Sequence, residues 1–393
     1  MSETQNITSG IKSVNASDIF NKLSSMNDST AVFALSVLNI VIILMPIMVY
    51  LYYTGSFFSK GLRERDCKLM NEIYGELNGK ISTVIDADTL KLDLKEFYVK
   101  TAYNACSGGN YKNDYVDTCV LKSLLKQGVR GLDFEIFSIG GNPVVATTTS
   151  DGNCVKETFN YVLFSEVLNV LDTCAFTSST APNAGDPLIL HLRIKSTNPE
   201  MFNNLTNLLD GFNKSNGRLL GTNYSYSIKK LSEVPLNELM GKVAVIVNGT
   251  NTSFLDLKFN EYVNMMSGTA SMRCLRYNDI KFTPDMNELI NYNTLALTIG
   301  LPDKGANPGC PSSILMRAYG VQLLALRYQS VDTNVEENNV FFDDSGHAFV
   351  LKPDDLRYEP KIIANAVAQD KKTSFASKII KMSGIPGDIS FPI

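Results

Sequence analysis

Two histidines, His191 and His347, occur in the 393 residues, so histidine-based proton transfer would have to run through one of them. His191 lies in PLILHLRI, two residues before Arg193, and on a strand these side chains share one face. His347 follows the turn-like run DDSG and is expected at the surface. Asp133 and Glu135 in GLDFEIF likewise fall on one strand face. Cys106 could be imagined as a nucleophile, but no histidine partner is evident for it. The seven cysteines are odd in number and show no zinc-site spacing, which fits reduced thiols rather than a disulfide framework. A net charge of -4 gives no general attraction for nucleic acid.

These side chains need a scaffold, and the pattern around them alternates. Short runs rich in apolar and β-branched residues, at 131–137, 142–147, 187–194, 242–248, 294–301 and 321–328, are separated by helix-like stretches such as 155–175 and 199–210. Apolar strands joined by crossover helices make a parallel sheet. Over residues 81–360 this predicts a TIM-type (α/β)8 barrel, with a doubly wound sheet as the alternative. With 44% apolar residues the chain can fill the core of such a domain. Residues 361–393 show no core pattern and read as a tail lying on the barrel or on a partner.

From Ser29 to Ser59 there is no Asp, Glu, Lys or Arg, and Ala31–Tyr53 (AVFALSVLNIVIILMPIMVYLYY) is almost wholly apolar. At about 1.5 Å rise per residue, a helix of this length covers a hydrocarbon core of roughly 30 Å. The polar residues 1–30 argue against a cleaved signal peptide and read as a disordered tail. Residues 31–53 are therefore expected to cross a bilayer once. Residues 54–80 should form a juxtamembrane helix and linker, with Leu62, Met70, Ile73 and Leu77 as its apolar positions. Lys60, Arg63, Arg65 and Lys68 follow the span, against Lys22 and Lys12 before it, so the large domain is expected on the cytosolic side.

Two blocks resemble the catalytic halves of eukaryotic-type phosphoinositide-specific phospholipase C. Tyr115–Ile194 is similar to the first half, in which a helix leads into a G-C-R-x-L-E-L-D strand, a P-x-x-x-H-G strand and P-V-I-L-S-L-E. Tyr319–Tyr358 is similar to the end of the second half, sharing Gln322, Ala325, Leu326, Gln329, Val350-Leu351-Lys352-Pro353 and Leu356-Arg357. The resemblance covers residues 95–360 and implies the distorted TIM barrel of that family.

In that family two histidines act as general base and general acid, and a Ca²⁺ held by Asn and carboxylates stabilises the developing charge. Carried across by motif, Tyr103 stands at the first histidine and Thr147 at the second. Asn104, Asp133 and Glu135 keep metal-ligand residue types, but Arg193 stands at the third carboxylate. The family's phosphate-contacting lysines fall at Ile246 and Asn248, and its Arg and Tyr at Ile299 and Leu301. The resemblance therefore implies loss of both proton-transfer groups and of the Ca²⁺, leaving no cofactor, with Arg193 paired to Asp133 and Glu135 in the metal's place. His191 matches no catalytic position and is expected as a packed or hydrogen-bonded core residue.

The expected function is a membrane-anchored, catalytically inactive phospholipase C-like scaffold. Its partners would be the lipid bilayer and an unidentified protein, a combination that suits the membrane and capsid layer of a large virus. One rival is an active phosphoinositide or lipid phosphodiesterase using Asp133 and Glu135 with Tyr103. The other is a lipid head-group binding module, against which the missing cations count.

Overall fold

The computed structural model describes residues 28–359, 379–382 and 389–392, with side chains for 32–33, 35–49 and 61–359. The expected polar tail lies outside these residues, except that 28–30 are helical. Eight strands form the frame: β1 (Phe97–Ala102), β2 (Gly131–Ile139), β5 (Leu188–Ile194), β6 (Val243–Asn248), β7 (Met265–Ser267), β8 (Met272–Arg276), β9 (Leu297–Leu301) and β10 (Leu323–Leu326). They run β7-β6-β5-β2-β1-β10-β9-β8, with every ladder along this path parallel. Between β7 and β8 there is a single bridge, Thr269 to Met272, so the barrel is nearly closed. This is the (α/β)8 arrangement rather than a doubly wound sheet.

Period-two alternation sorts the side chains. Leu132, Phe134, Leu190, Leu192, Val245 and Val247 pack outward under the helices, while Val99, Ile189, Ala244, Ile246, Ile299 and Ala325 fill the interior. Gly131 is required where β2 meets β1, because a Cβ there would lie 2.2 Å from Thr101 Oγ1. The run at 142–147 is not a barrel strand. It is β3 (Asn142–Ala146), returning antiparallel along β2 through a turn in which Gly140 and Gly141 both have positive φ, 56° and 76°. The two-residue β4 (Val162–Leu163) continues that sheet, and β11 (Phe349–Leu351) pairs antiparallel with β1. Residues 294–295, expected as strand, end the helix Met286–Leu295. In the C-terminal segment, expected to be without pattern, β12 (Ile379–Met382) and β13 (Ile389–Pro392) pair with each other antiparallel.

Helix α1 runs from Asp28 to Tyr74 without interruption, with Pro46 inside it. Among the residues with described side chains, no helix is long and apolar enough to cross a membrane; the expected span also includes 31, 34 and 50–53, which lie outside them. The C-terminal part of α1 docks on the barrel through Met70 of the expected stripe, but not through Ile73 or Leu77. Asp66, Met70 and Tyr74, spaced four apart, are buried, while Ile73 and Leu77 are 41% and 43% exposed.

α1 lies along α2 (Thr118–Lys126), which is N-capped by Asp117. Arg63 Nε donates to Asp117 at 2.5 Å, and Lys126 Nζ donates to the Gly75 carbonyl at 2.5 Å. Between them Cys67 and Cys119 form a disulfide, correcting the expectation that all thiols are reduced; Cys106, Cys154, Cys174, Cys274 and Cys310 are free. The partners are 52 residues apart in sequence, and only the docking of α1 on α2 brings them together.

Candidate functional site at the barrel mouth

The register of the central strands sets the site. Asp133 on β2 lies beside His191 on β5, and Glu135 lies beside Arg193 one inward position higher. All four point into the barrel near the C-terminal strand ends and are 4% exposed or less. The Arg193 guanidinium is fully engaged. Its Nε and Nη2 reach the two Asp133 oxygens at 2.9 and 2.7 Å, Nη1 reaches Glu135 at 2.5 Å, and Nη2 also reaches Asn104 Oδ1 at 2.9 Å. Asn104 sits just past β1 at φ 47°, a left-handed conformation that asparagine tolerates, and its backbone N–H donates to Asp133 Oδ2 at 3.1 Å.

Electrostatics separates the two carboxylates. Burial opposes charge on Asp133, but Arg193 and the hydrogen bond from His191 outweigh it and hold the carboxyl far below its usual range. At Glu135 burial dominates over Arg193 and Lys195, and the carboxyl is pushed up. The Thr148 N–H donates to Glu135 Oε2 at 2.7 Å.

The two positions at the family's histidines diverge. Tyr103 stacks under Arg193, whose Cζ is 4.6 Å from the ring centroid, and its hydroxyl accepts from Arg276 at 3.2 Å. Thr147 is buried, and its hydroxyl donates to the Tyr111 carbonyl at 2.9 Å. Neither is an imidazole, and neither takes up a proton near neutral pH; burial raises the Tyr103 pKa further. The donor set does not fit a Ca²⁺ either, since a guanidinium lies among Asn104, Asp133 and Glu135 and uses the oxygens a metal would need. Ile246, Ile299 and Leu301 are interior core residues, and Asn248 lines the mouth.

His191 bridges Asp133, at 2.7 Å from Nδ1, and the Ser267 hydroxyl, at 2.7 Å from Nε2. That is the connectivity of an acyl-transfer triad. However, Ser267, His191 and Asp133 are each 0% exposed and do not line the mouth cavity, so a substrate has no approach. The chain of bonds ties β7, β5 and β2 together. His347 is half-buried rather than exposed, 3.1 Å from the Ser82 carbonyl. Cys106 is buried, which raises its thiol pKa and leaves it inert as a nucleophile.

Sequence reasoning missed the cations of the mouth. A cavity of about 580 Å³ opens above the cluster, lined in part by Asp151, Lys195, Arg276 and Lys304. Arg276, the last residue of β8, forms a two-pronged pair with Asp151, and Lys304 Nζ reaches the same carboxylate at 3.2 Å. Lys195 donates to the Asp151 carbonyl at 2.7 Å. The signal was a charged residue ending a barrel strand, legible only once MRCLR is taken as strand β8.

Eight parallel strands carrying a polar cluster at their C-terminal ends define a TIM-type barrel with its site at the mouth. Its particular form is phospholipase C-like. The crystal structures of PLC21 from S. officinalis and from L. pealei align with 68% of this chain at 18% and 19% identity, each with a TM-score of 0.54. The chain spans 38% of the length of those PLC21 chains. A calcium-dependent phosphoinositol-specific phospholipase C from Pseudomonas sp. aligns with 70% of this chain and 99% of its own, at 13% identity and a TM-score of 0.43. No family model and no curated protein sequence matches the chain. At such identities the likeness is one of fold.

Proposed function

We propose that the chain is a membrane-anchored phospholipase C-like barrel that hydrolyses no phosphodiester and acts as a scaffold between a bilayer and a protein partner. The observation that carries the reading is Arg193, whose fixed charge neutralises Asp133 and Glu135 where a metal would otherwise do so. Tyr103 and Thr147 add to it. Each lost acid–base group removes typically about 10²–10⁴-fold in rate, so turnover of the family type should vanish. The test is release of inositol phosphate from phosphatidylinositol and its phosphorylated forms by the purified full chain with millimolar Ca²⁺. None is expected above a Tyr103→Phe, Thr147→Ala double variant, and activity above that background would refute the proposal.

Anchoring is supported by α1 itself. The described side chains from Val32 to Val49 include the consecutive run Ile40, Val41, Ile42, Ile43 and Leu44, which goes right round the helix, and each is at least half exposed. A helix apolar on all sides without protein cover is at home in lipid. Two signals conflict on sidedness: the basic flank favours the cytosol, whereas the disulfide favours an oxidising compartment. The proposal keeps the charge rule, because orientation is set as the segment inserts, before the barrel folds and Cys67 meets Cys119. Protease on the cytosolic side of sealed vesicles should then digest the barrel. Glycan at the exposed Asn223 would reverse the assignment, whereas Asn248, buried and hydrogen-bonded, is a poor reporter.

A second reading, head-group binding, is favoured by Lys195, Arg276 and Lys304 around the cavity. If soluble inositol phosphates raise the melting temperature of the wild type but not of Arg276→Ala, this reading takes precedence.

A further inference from the structure

We propose that in a reducing compartment Cys67, Cys119 and Asp117 hold a thiophilic divalent cation, Zn²⁺, which replaces the disulfide as the clasp between α1 and α2. This goes beyond the scaffold reading and does not depend on it. Cysteine spacing along the chain gives no hint of such a site, because one thiol comes from each helix and only their docking supplies the geometry. One ligand atom from each of the three residues lies within 4.8 Å of the others. Two thiolates and a carboxylate are donor types that zinc accepts.

Reduction comes first. Cys67 and Cys119 are half-buried, so a small thiol reductant such as glutathione reaches the bridge. Two reductant thiols supply the electrons: the S–S bond opens, each cysteine sulfur takes a proton, and the reductant leaves as its own disulfide. Zinc binds thiolates and therefore displaces both protons. Cys119 is the second residue of α2, where the helix N-terminus favours a thiolate. The two Cα atoms are 5.8 Å apart, and sulfurs held tetrahedrally at about 2.3 Å from one zinc lie about 3.8 Å apart, so turning the side chains admits the ion with both helices in place. Asp117 has a free lone pair for it. Oδ2 faces Arg63, whereas among the described residues Oδ1 accepts only the Cys119 N–H, at 2.8 Å. The charges also match, because two thiolates and Asp117 offset Zn²⁺ together with Arg63 and leave a neutral cluster. A cytosolic barrel would thus keep α1 docked through the same two cysteines that a disulfide joins under oxidising conditions.

The full chain in detergent, reduced with a phosphine so that no competing thiol is present, would be titrated with Zn²⁺ and with Co²⁺ as a spectroscopic probe. Cobalt held by cysteine shows thiolate-to-metal charge-transfer absorption. The reduced wild type should bind one ion per chain, show that absorption with Co²⁺, and melt at a higher temperature with Zn²⁺. Protein with its disulfide intact should do none of these. Replacing both cysteines, Cys67→Ser with Cys119→Ser, should abolish the absorption, although Cys106, Cys154, Cys174, Cys274 and Cys310 remain. Asp117→Ser keeps an N-cap acceptor but removes the carboxylate, and it should weaken Co²⁺ binding by more than the roughly 10-fold that loss of an outer-shell partner costs. The site is overturned if reduced wild type gives no cobalt absorption, or if the absorption survives loss of both cysteines or is equally strong in the oxidised protein. Unchanged affinity in Asp117→Ser would overturn the three-ligand assignment.

Discussion

Arg193→Ala should destabilise the barrel by about 3–5 kcal/mol, the usual consequence of removing one partner from a buried ion pair. The variant leaves Asp133 and Glu135, each at most 1% exposed, facing one another without their common counter-ion. Thermal or urea unfolding of the full chain in detergent reads the effect, with each kcal/mol moving the midpoint by about 2–4 °C in a domain of this size. The two carboxylates should respond differently to neutralisation. Asp133 accepts from Arg193, His191 and the Asn104 N–H, so Asp133→Asn strands donors on three sides and should approach the arginine variant in severity. Glu135 is held above its usual pKa by burial, so Glu135→Gln should stay within about 1 kcal/mol. The pH dependence follows the same split. The lowered pKa of Asp133 gives stability that is present above the ordinary carboxylate range and lost as pH falls toward the folded value. The raised pKa of Glu135 acts oppositely, its contribution being full in acid and lost as pH rises through the folded value. Equal losses from Asp133→Asn and Glu135→Gln would show that Arg193 does not discriminate between them.

Arg193→Glu should convert the same cluster into a site that needs a cation. Three carboxylates and the freed Asn104 carbonyl would then converge where the guanidinium now lies, an oxygen-only set of the kind Ca²⁺ accepts. Without metal the variant should be less stable than Arg193→Ala, because a third buried charge adds repulsion. With Ca²⁺ at 100 times its dissociation constant, about 2.7 kcal/mol should return, since the ion binds only the folded state. Wild type should show no Ca²⁺-dependent shift. A wild type stabilised by Ca²⁺, with Arg193→Glu indifferent to it, would mean that the cluster binds metal with Arg193 swung aside, and the inactive-barrel proposal would fall.

Strands rich in apolar and β-branched residues were legible in the sequence, because GLDFEIF, PLILHLRI and KVAVIVN can be little else, and their spacing by helices implies a parallel barrel. β1, β7 and β8 were not, since FYVKTA and MRCLR carry charge and MMS has three residues. The loss of β8 hid Arg276, and with it the cations of the mouth. Arg193, Asp133 and Glu135 could be placed on inward faces by period-two counting. The Ser267 partner of His191 could not, because it comes from a strand too short to show a period. The disulfide was hidden for a different reason: its partners lie on two helices whose docking is a tertiary event, and an odd cysteine count argues against pairing without excluding one pair.

The Cys67–Cys119 bridge also decides how a mechanical load would travel. Tension on α1 arriving from its N-terminal side reaches Cys67 and divides there, and the covalent branch enters α2 at Cys119 directly. The intervening segment, which contains the whole of β1 and the Asn104 turn, hangs as a slack parallel branch and carries little of the pull. The first strand of the barrel, otherwise the one nearest the tether and the first to be peeled from its neighbours, is thereby taken out of the line of force, and the strain is delivered to a helix whose inner face is already packed into the core.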